Sequence, residues 1–223
     1  ILGVLLGVAI LVIVQSVMAG FDDMWREKIL SFKPHITVVN RYTGVQDEDV
    51  LCDRVAEVDG VTGVAAAIET RVLMQKEGRT AAPIVLGVDA ARAAKVSRIP
   101  DSIRYGRFHL DDESCVLGVD LAMQLGVAPG HTVLLYSPLN VIKKDEIYLP
   151  IELTVAGVYE MGMRDFDAAF VLTSLDVARE LVGLDQGSYA IYVMTEDAFR
   201  FGEFAASVRE SLGPEYAVRT WRE

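Results

Sequence analysis

Residues 1–21, from Ile1 to Phe21, carry no charged side chain, and the remainder of the 223-residue chain is acidic and of mixed polarity. At 1.5 Å per residue such a stretch, if helical, covers roughly 31 Å, about the thickness of a hydrocarbon core. Its densest part, Ile1 to Val14, covers about 21 Å, because Gln15, Ser16 and Gly20 dilute the second half. The chain opens on Ile rather than Met and reads as a sequence that begins inside a membrane span. The helical pattern then continues as a stalk, with Phe21, Trp25 and Ile29 recurring at i, i+4 and i+8. Pro34 ends it, since the residue before a proline is disfavoured in the helical region. The competing reading is a secretory signal peptide cut after Ala19, with Val17 and Ala19 as the small residues before the cut. The absence of a basic start and the unbroken periodicity across Ala19 favour an anchor.

Composition narrows the classes. The chain has 21 basic against 32 acidic side chains, a net charge of −11. An acidic chain without basic runs argues against nucleic acid and against anionic headgroups as principal partners. Cys52 and Cys115 are the only cysteines, too few for a disulfide framework. Cys52 falls in a helical pattern and Cys115 opens an apolar strand, so two buried thiols are expected, with a single bridge as the alternative.

The order of elements points to an α+β fold. Residues 35–39 read as a strand, Gln46–Val58 as a helix with Asp47, Glu48 and Asp49 at its positive end, and Val61–Gln75 as a long strand. Lys76-Glu-Gly-Arg79 forms a turn, and residues 82–88 return. Tyr189–Val193 is a strand, Glu196–Leu212 a helix, and Tyr216–Arg219 a last strand. Two βαβ-like halves that share one sheet suggest a ferredoxin-like, porter-like split arrangement. Between them, strands at 115–118, 132–136, 152–159 and 168–172 and helices at 119–125 and 174–182 read as a second small α+β domain inserted into the first. Ser174 is the expected cap of the latter helix. The expected division is 1–33 for the partial transmembrane helix and stalk, 34–89 plus 186–223 for the porter-like domain, and 90–185 for the insert.

Catalytic signatures are missing from the sequence. There is no phosphate loop, no nucleophile elbow and no His-Glu-x-x-His helix. His35, His109 and His131 stand apart in sequence, whereas metal ligands usually come closely spaced. Asp111-Asp112-Glu113 lacks the alternating ligands of a calcium loop. Asp165 and Asp167 flank Phe166 in a glycine-containing loop and read as structural turn residues. No cofactor and no catalytic activity are expected of this chain.

Two features remain. Gly3-Val-Leu-Leu-Gly7 places two glycines on one helical face, where another helix can approach closely. Residues 136–150 join two strands with far more chain than a tight turn needs. Ser137, Pro138, Leu139, Asn140, Val141, Ile142, Ile147, Tyr148 and Pro150 make this either an ordinary hairpin folded onto its domain or a protruding hairpin offered to a partner.

The opening segment, followed by Arg26-Glu-Lys-Ile-Leu30 and Pro34-His-Ile-Thr-Val38, resembles lipoprotein-releasing ABC transporter permeases of the LolC/LolE type, within the wider MacB- and FtsX-like superfamily. Further pieces recur in order: Val85-Leu-Gly-Val-Asp89, Leu121-Ala-Met-Gln-Leu-Gly-Val127, Pro129-Gly-His-Thr-Val133, Val155-Ala-Gly-Val-Tyr159, and Val218-Arg-Thr-Trp221 near the end. The resemblance implies one permease subunit in the bacterial inner membrane, with the domain after residue 33 in the periplasm. Its implied partners are a separate ATPase subunit, a second permease subunit in a homo- or heterodimer, and lipoprotein cargo. The Ser137–Pro150 hairpin lies where the LolC-like member recruits a periplasmic lipoprotein chaperone. Leu11, Gln15, Met18, Phe21 and Trp25 are, by position, the residues that would face lipid or cargo. MacB-like export, FtsX-like signalling and a secreted periplasmic binding module are the alternative readings.

Overall fold

The computed structural model describes residues 2–137, 139 and 149–221, with the backbone alone for 2, 4, 5 and 21–32. Two compact units result, Ile1–Lys33 and Pro34–Glu223. The first is a single helix, α1 (Leu2–Phe32). Its described side chains are exposed all the way round: Leu6, Ile10, Leu11, Ile13, Val14, Val17 and Met18 all face outward, none of them packed into a core. Among the described residues no helix is long and apolar enough to cross a membrane.

The second unit is built on a mixed sheet, twelve strands among the described residues. β1 (Ile36–Asn40), β2 (Val61–Arg71), β11 (Ala190–Thr195) and β12 (Tyr216–Thr220) lie in the order β12-β1-β11-β2, all neighbours antiparallel. α2 (Glu48–Ala56) connects β1 to β2, and α7 (Phe201–Ser211) connects β11 to β12. Each connection therefore skips over one intervening strand, which is the split βαβ order. Leu51, Cys52 and Val55 of α2, spaced at one helical turn, meet Phe204, Ala205 and Val208 of α7 and Ile36, Val64, Ile191 and Val193 of the sheet in one core.

The sheet continues without a break into the second half. β5 (Ile84–Val88) pairs antiparallel with β2 and parallel with β10 (Phe170–Ser174). Beyond β10 come β7 (Ser114–Gly118), β9 (Ile151–Tyr159) and β8 (Thr132–Tyr136). β3 (Leu73–Lys76) and β4 (Arg79–Ala81) close this end, while β6 (Ile103–Gly106) pairs with β9. A second core forms here from Met74, Leu117, Val133, Leu135, Leu153 and Val171 with Leu121 and Leu125 of α4 (Val119–Leu125). The hairpin read from the sequence is thus refined. Residues 67–71 pair with 84–88 as expected, but the tip β3–β4 departs from that pair and joins β8.

Helix α6 (Leu175–Val182) belongs to both cores, giving Val177 and Leu181 to one and Leu175 and Ala178 to the other. Ser174 caps it, accepting from the Val177 N–H at 3.2 Å. Gly183 ends it in the left-handed conformation, φ 69°, which a glycine adopts without Cβ strain. Two short helices complete the unit, α3 (Ala90–Val96), capped by Asp89, and α5 (Arg164–Asp167). α3 lies so near β2 that a Cβ on Gly63 would sit 2.0 Å from the Lys95 carbonyl oxygen.

Candidate functional site

The 137–150 segment springs from the β8–β9 pair, whose last paired residues are Leu135 and Ile151. Of the residues that the sequence assigns to it, Pro138, Asn140, Val141, Ile142, Ile147 and Tyr148 lie outside the described residues. Its two roots are described. Ser137 is buried, and its hydroxyl donates to the Leu181 carbonyl at 2.7 Å while accepting from the Leu139 N–H at 3.1 Å. Leu139 is half-buried, with Cδ1 2.8 Å from where a Cβ on Gly183 would be. Next to it, the Tyr136 hydroxyl donates to Gln75 Oε1 on β3 at 2.9 Å. The ascending root is therefore pinned to the end of α6 and to β3. The descending root differs: Pro150 is half-buried, and Leu149 before it is 80% exposed. Leu149 is a member that the sequence reading missed, because its exposure depends on where the strand β9 begins.

In the helix unit, Gly3 and Gly7 have no heavy atom within 4 Å of an added Cβ, so their shared face is open. Leu11, Gln15 and Met18 are exposed, and the side chains of Phe21 and Trp25 lie outside those described.

A cleft of about 370 Å³ lies between α2, α3 and α6. Acidic side chains line it, and its two arginines hold Glu48, Asp49, Asp89 and Asp176. Arg179 pairs with Glu48 and with Asp176, and its Nε donates to the Gly187 carbonyl at 2.9 Å. Arg92 lies 3.2 Å from Asp53, 3.5 Å from Asp49 and 3.6 Å from Asp89. The Cys52 thiol at the same cleft is pushed up to about 11 by burial, so it is no thiolate near neutrality. Cys115 is pushed up to about 12 for the same reason. Both cysteines are free and buried.

The remaining polar residues singled out by the sequence lie at strand ends and turns, except Asp165 and Asp167, which the sequence assigns to a turn and the structure places in the short helix α5. His35 Nδ1 lies 3.0 Å from Thr195 Oγ1 and accepts from the Thr195 N–H at 3.1 Å, tying β1 to β11. His109 meets Asp111 at 3.0 Å, and His131 accepts from the Ala128 N–H at 3.4 Å. Asp167 is buried and accepts from three successive backbone amides, Met161, Gly162 and Met163, at 2.8, 3.0 and 3.1 Å. Asp165 is exposed. No grouping of three or more His, Cys, Asp or Glu suited to a metal occurs among the described residues.

The sequence-assigned surfaces are thus those at the 137–150 roots and along α1. The family of MacB-like periplasmic core domains matches residues 1–211, and the chain belongs to that family. It is 25% identical over 225 residues to the lipoprotein-releasing system transmembrane protein LolC of Xylella fastidiosa (strain Temecula1), covering 99% of this chain and 54% of that protein. It is 28% identical over 190 residues to the protein of the same name from Neisseria meningitidis serogroup B, covering 82% of this chain and 45% of that one. The chain therefore spans about half the length of these relatives.

Solved structures show the fold. The extracellular domain of the noncanonic ABC-type transporter YknZ from Gram-positive bacteria superposes with a TM-score of 0.56 at 15% identity, over 83% of this chain and 99% of that one. The periplasmic region of MacB from Actinobacillus actinomycetemcomitans gives 0.55 at 10% identity, over 83% and 87%. The α+β, sheet-dominated architecture is the one these domains share.

Proposed function

We propose that this chain is the first span and periplasmic domain of a permease subunit in a lipoprotein-releasing ABC transporter. One observation carries the reading: similarity to LolC proteins runs along 99% of the chain, through α1 and the whole sheet unit. In this reading residues 1–33 are the anchor and stalk, 34–89 with 186–223 the porter-like part, and 90–185 the insert. ATP is hydrolysed on a separate subunit, a second permease subunit completes the membrane part, and the cargo is a lipoprotein extracted from the inner membrane. The uncharged run Ile1–Phe21 supports the anchor. The open Gly3/Gly7 face supports a neighbouring helix. Leu11, Gln15 and Met18, with Phe21 and Trp25 further along, are assigned to lipid or cargo.

The 137–150 hairpin is assigned to recruitment of a periplasmic chaperone. Its support is physical: one root is fixed by Ser137 on α6, and the other presents Leu149 to solvent. A fixed base presents the segment from a defined place on the domain. A MacB-like export role is the second reading, favoured by the likeness to the MacB periplasmic region.

In-cell photocrosslinking from Leu139 and Leu149 of the full-length protein tests the assignment. The expected product contains a periplasmic lipoprotein chaperone. An adduct with an outer-membrane channel component would favour the export role instead, and an adduct with a cell-wall hydrolase activator the FtsX-like one.

A further inference from the structure

Between β6, α4 and the turn after α4 runs an apolar groove of about 320 Å³. Tyr105, Val119, Met123, Pro129 and Val158 line it, and no Asp, Glu, Lys, Arg or His does. Met123 is 65% exposed and Tyr105 53%, so two large apolar side chains that could fold inward border the groove instead. One edge of the groove is cationic. Gly126, one of its lining residues, lies so close to Arg79 that a Cβ there would be 2.0 Å from the guanidinium Nη1. The Arg104 guanidinium stands 5.8 Å from the Tyr105 ring centroid and also pairs with Glu160. An apolar trough with Arg79 at one edge and the other edge charge-balanced by the Arg104–Glu160 pair is complementary to an amphiphile with a negative head.

We propose that this groove binds a single aliphatic chain with an anionic head, the chain against Tyr105, Val119 and Met123 and the head at Arg79. The size suits a chain: at about 30 Å³ per heavy atom the groove holds roughly ten. The lining suits methylenes, since the unbranched, polarisable Met side chain adapts to irregular apolar shapes. It suits a peptide or a sugar poorly, because no side-chain carboxylate or amide lines the groove to orient one. The inference is independent of the proposed transport role.

The test is photolabelling of the full chain in phosphatidylcholine vesicles with decanoic acid bearing a terminal diazirine, followed by peptide mapping. Label is expected to concentrate on the peptides holding Tyr105 and Met123. Unlabelled fatty acids should compete about fourfold better per added methylene from six to ten carbons, and gain little beyond. Arg79→Gln should weaken labelling about fivefold, the upper range for an exposed ion pair. Met123→Lys, at an exposed position, should abolish labelling while leaving the circular dichroism spectrum unchanged. Even labelling of exposed apolar side chains, competition independent of chain length, or equal labelling by the methyl ester would each overturn the proposal. So would labelling of the groove by a diazirine phospholipid but not by the free acid, which would make the occupant a lipid surface.

Discussion

α1 and β2 are both rich in small and branched apolar residues, yet they end up in opposite surroundings. Val64 to Ile68 of β2 are all at or below 4% exposed, covered by α2, α3 and α6, whereas Leu11, Ile13 and Val17 of α1 are about 60% exposed or more. The difference lies in what the flanking sequence supplies. β2 is flanked by strands and helices with one apolar face each, and those faces close over it. From Leu2 to Phe21 α1 carries no charged side chain, and a helix apolar on nearly every side needs an apolar environment around it. The comparison separates stability that the chain makes for itself from stability that it must take from outside.

The comparison is broken most sharply by exchanging the treatment of the two segments. Ile68→Ala should destabilise the sheet unit by about 2–5 kcal/mol, read as a lower urea midpoint, because it opens a void in a packed core. Leu11→Ala should leave that midpoint within about 0.5 kcal/mol. In the proposed reading, Leu11→Asp should instead reduce membrane insertion of residues 1–21 fused to a soluble reporter, as an aspartate at mid-span costs roughly 3–4 kcal/mol relative to leucine. Equal effects of Ile68→Ala and Leu11→Ala on unfolding would contradict the division.

A smaller effect is expected at the 161–163 turn. Asp167→Ala removes the acceptor of three amides and should cost roughly 3 kcal/mol, while Asp165→Ala should cost less than about 0.5 kcal/mol, both by denaturant titration.

The two buried thiols give a pH signature of similar size. Each has a folded value above the ordinary thiol value of 9.0, Cys52 at about 11 and Cys115 at about 12. Below pH 9 both states hold the proton and stability is full. As pH rises through 9 the unfolded chain loses it first, so stability falls, by about 1 kcal/mol per thiol from pH 9 to 10. The loss continues until the folded thiol titrates. Replacing both cysteines by alanine should flatten that part of the profile. In the native protein at pH 8 neither thiol should react with a thiol reagent on the timescale of exposed cysteine.

The smallest effect concerns the hairpin root. Ser137→Ala should cost about 1 kcal/mol, because it leaves Leu139 N–H and Leu181 C=O without this partner. Crosslinking yield from Leu149 should fall more than stability does if the Ser137 anchor positions the segment for its partner.

Strands with branched apolar runs, such as 132–136 and 151–159, were legible because their pattern is local, and so was the Ser174 cap. α3 was missed: residues 90–96 are mostly alanine and give no periodic signal, although Asp89 was its cap. The helix expected from Glu196 starts only at Phe201, since Asp197 turns the chain by accepting from the Phe199 N–H at 2.8 Å. The departure of β3–β4 to the side of β8 and the Ser137–Leu181 bond depend on contacts between distant positions, which no local pattern encodes. The same holds for the groove, whose lining comes from three separate stretches of chain. Of the proposed site, the segment and its apolar content could be read from the sequence, but not which root is fixed and which is exposed.

Depletion of the full-length protein in its own host, followed by separation of inner from outer membranes, tests the central proposal most directly. Lipoproteins destined for the outer membrane should accumulate in the inner-membrane fraction and return to the outer one when the protein is restored. An unchanged distribution under full depletion would contradict the lipoprotein-releasing role.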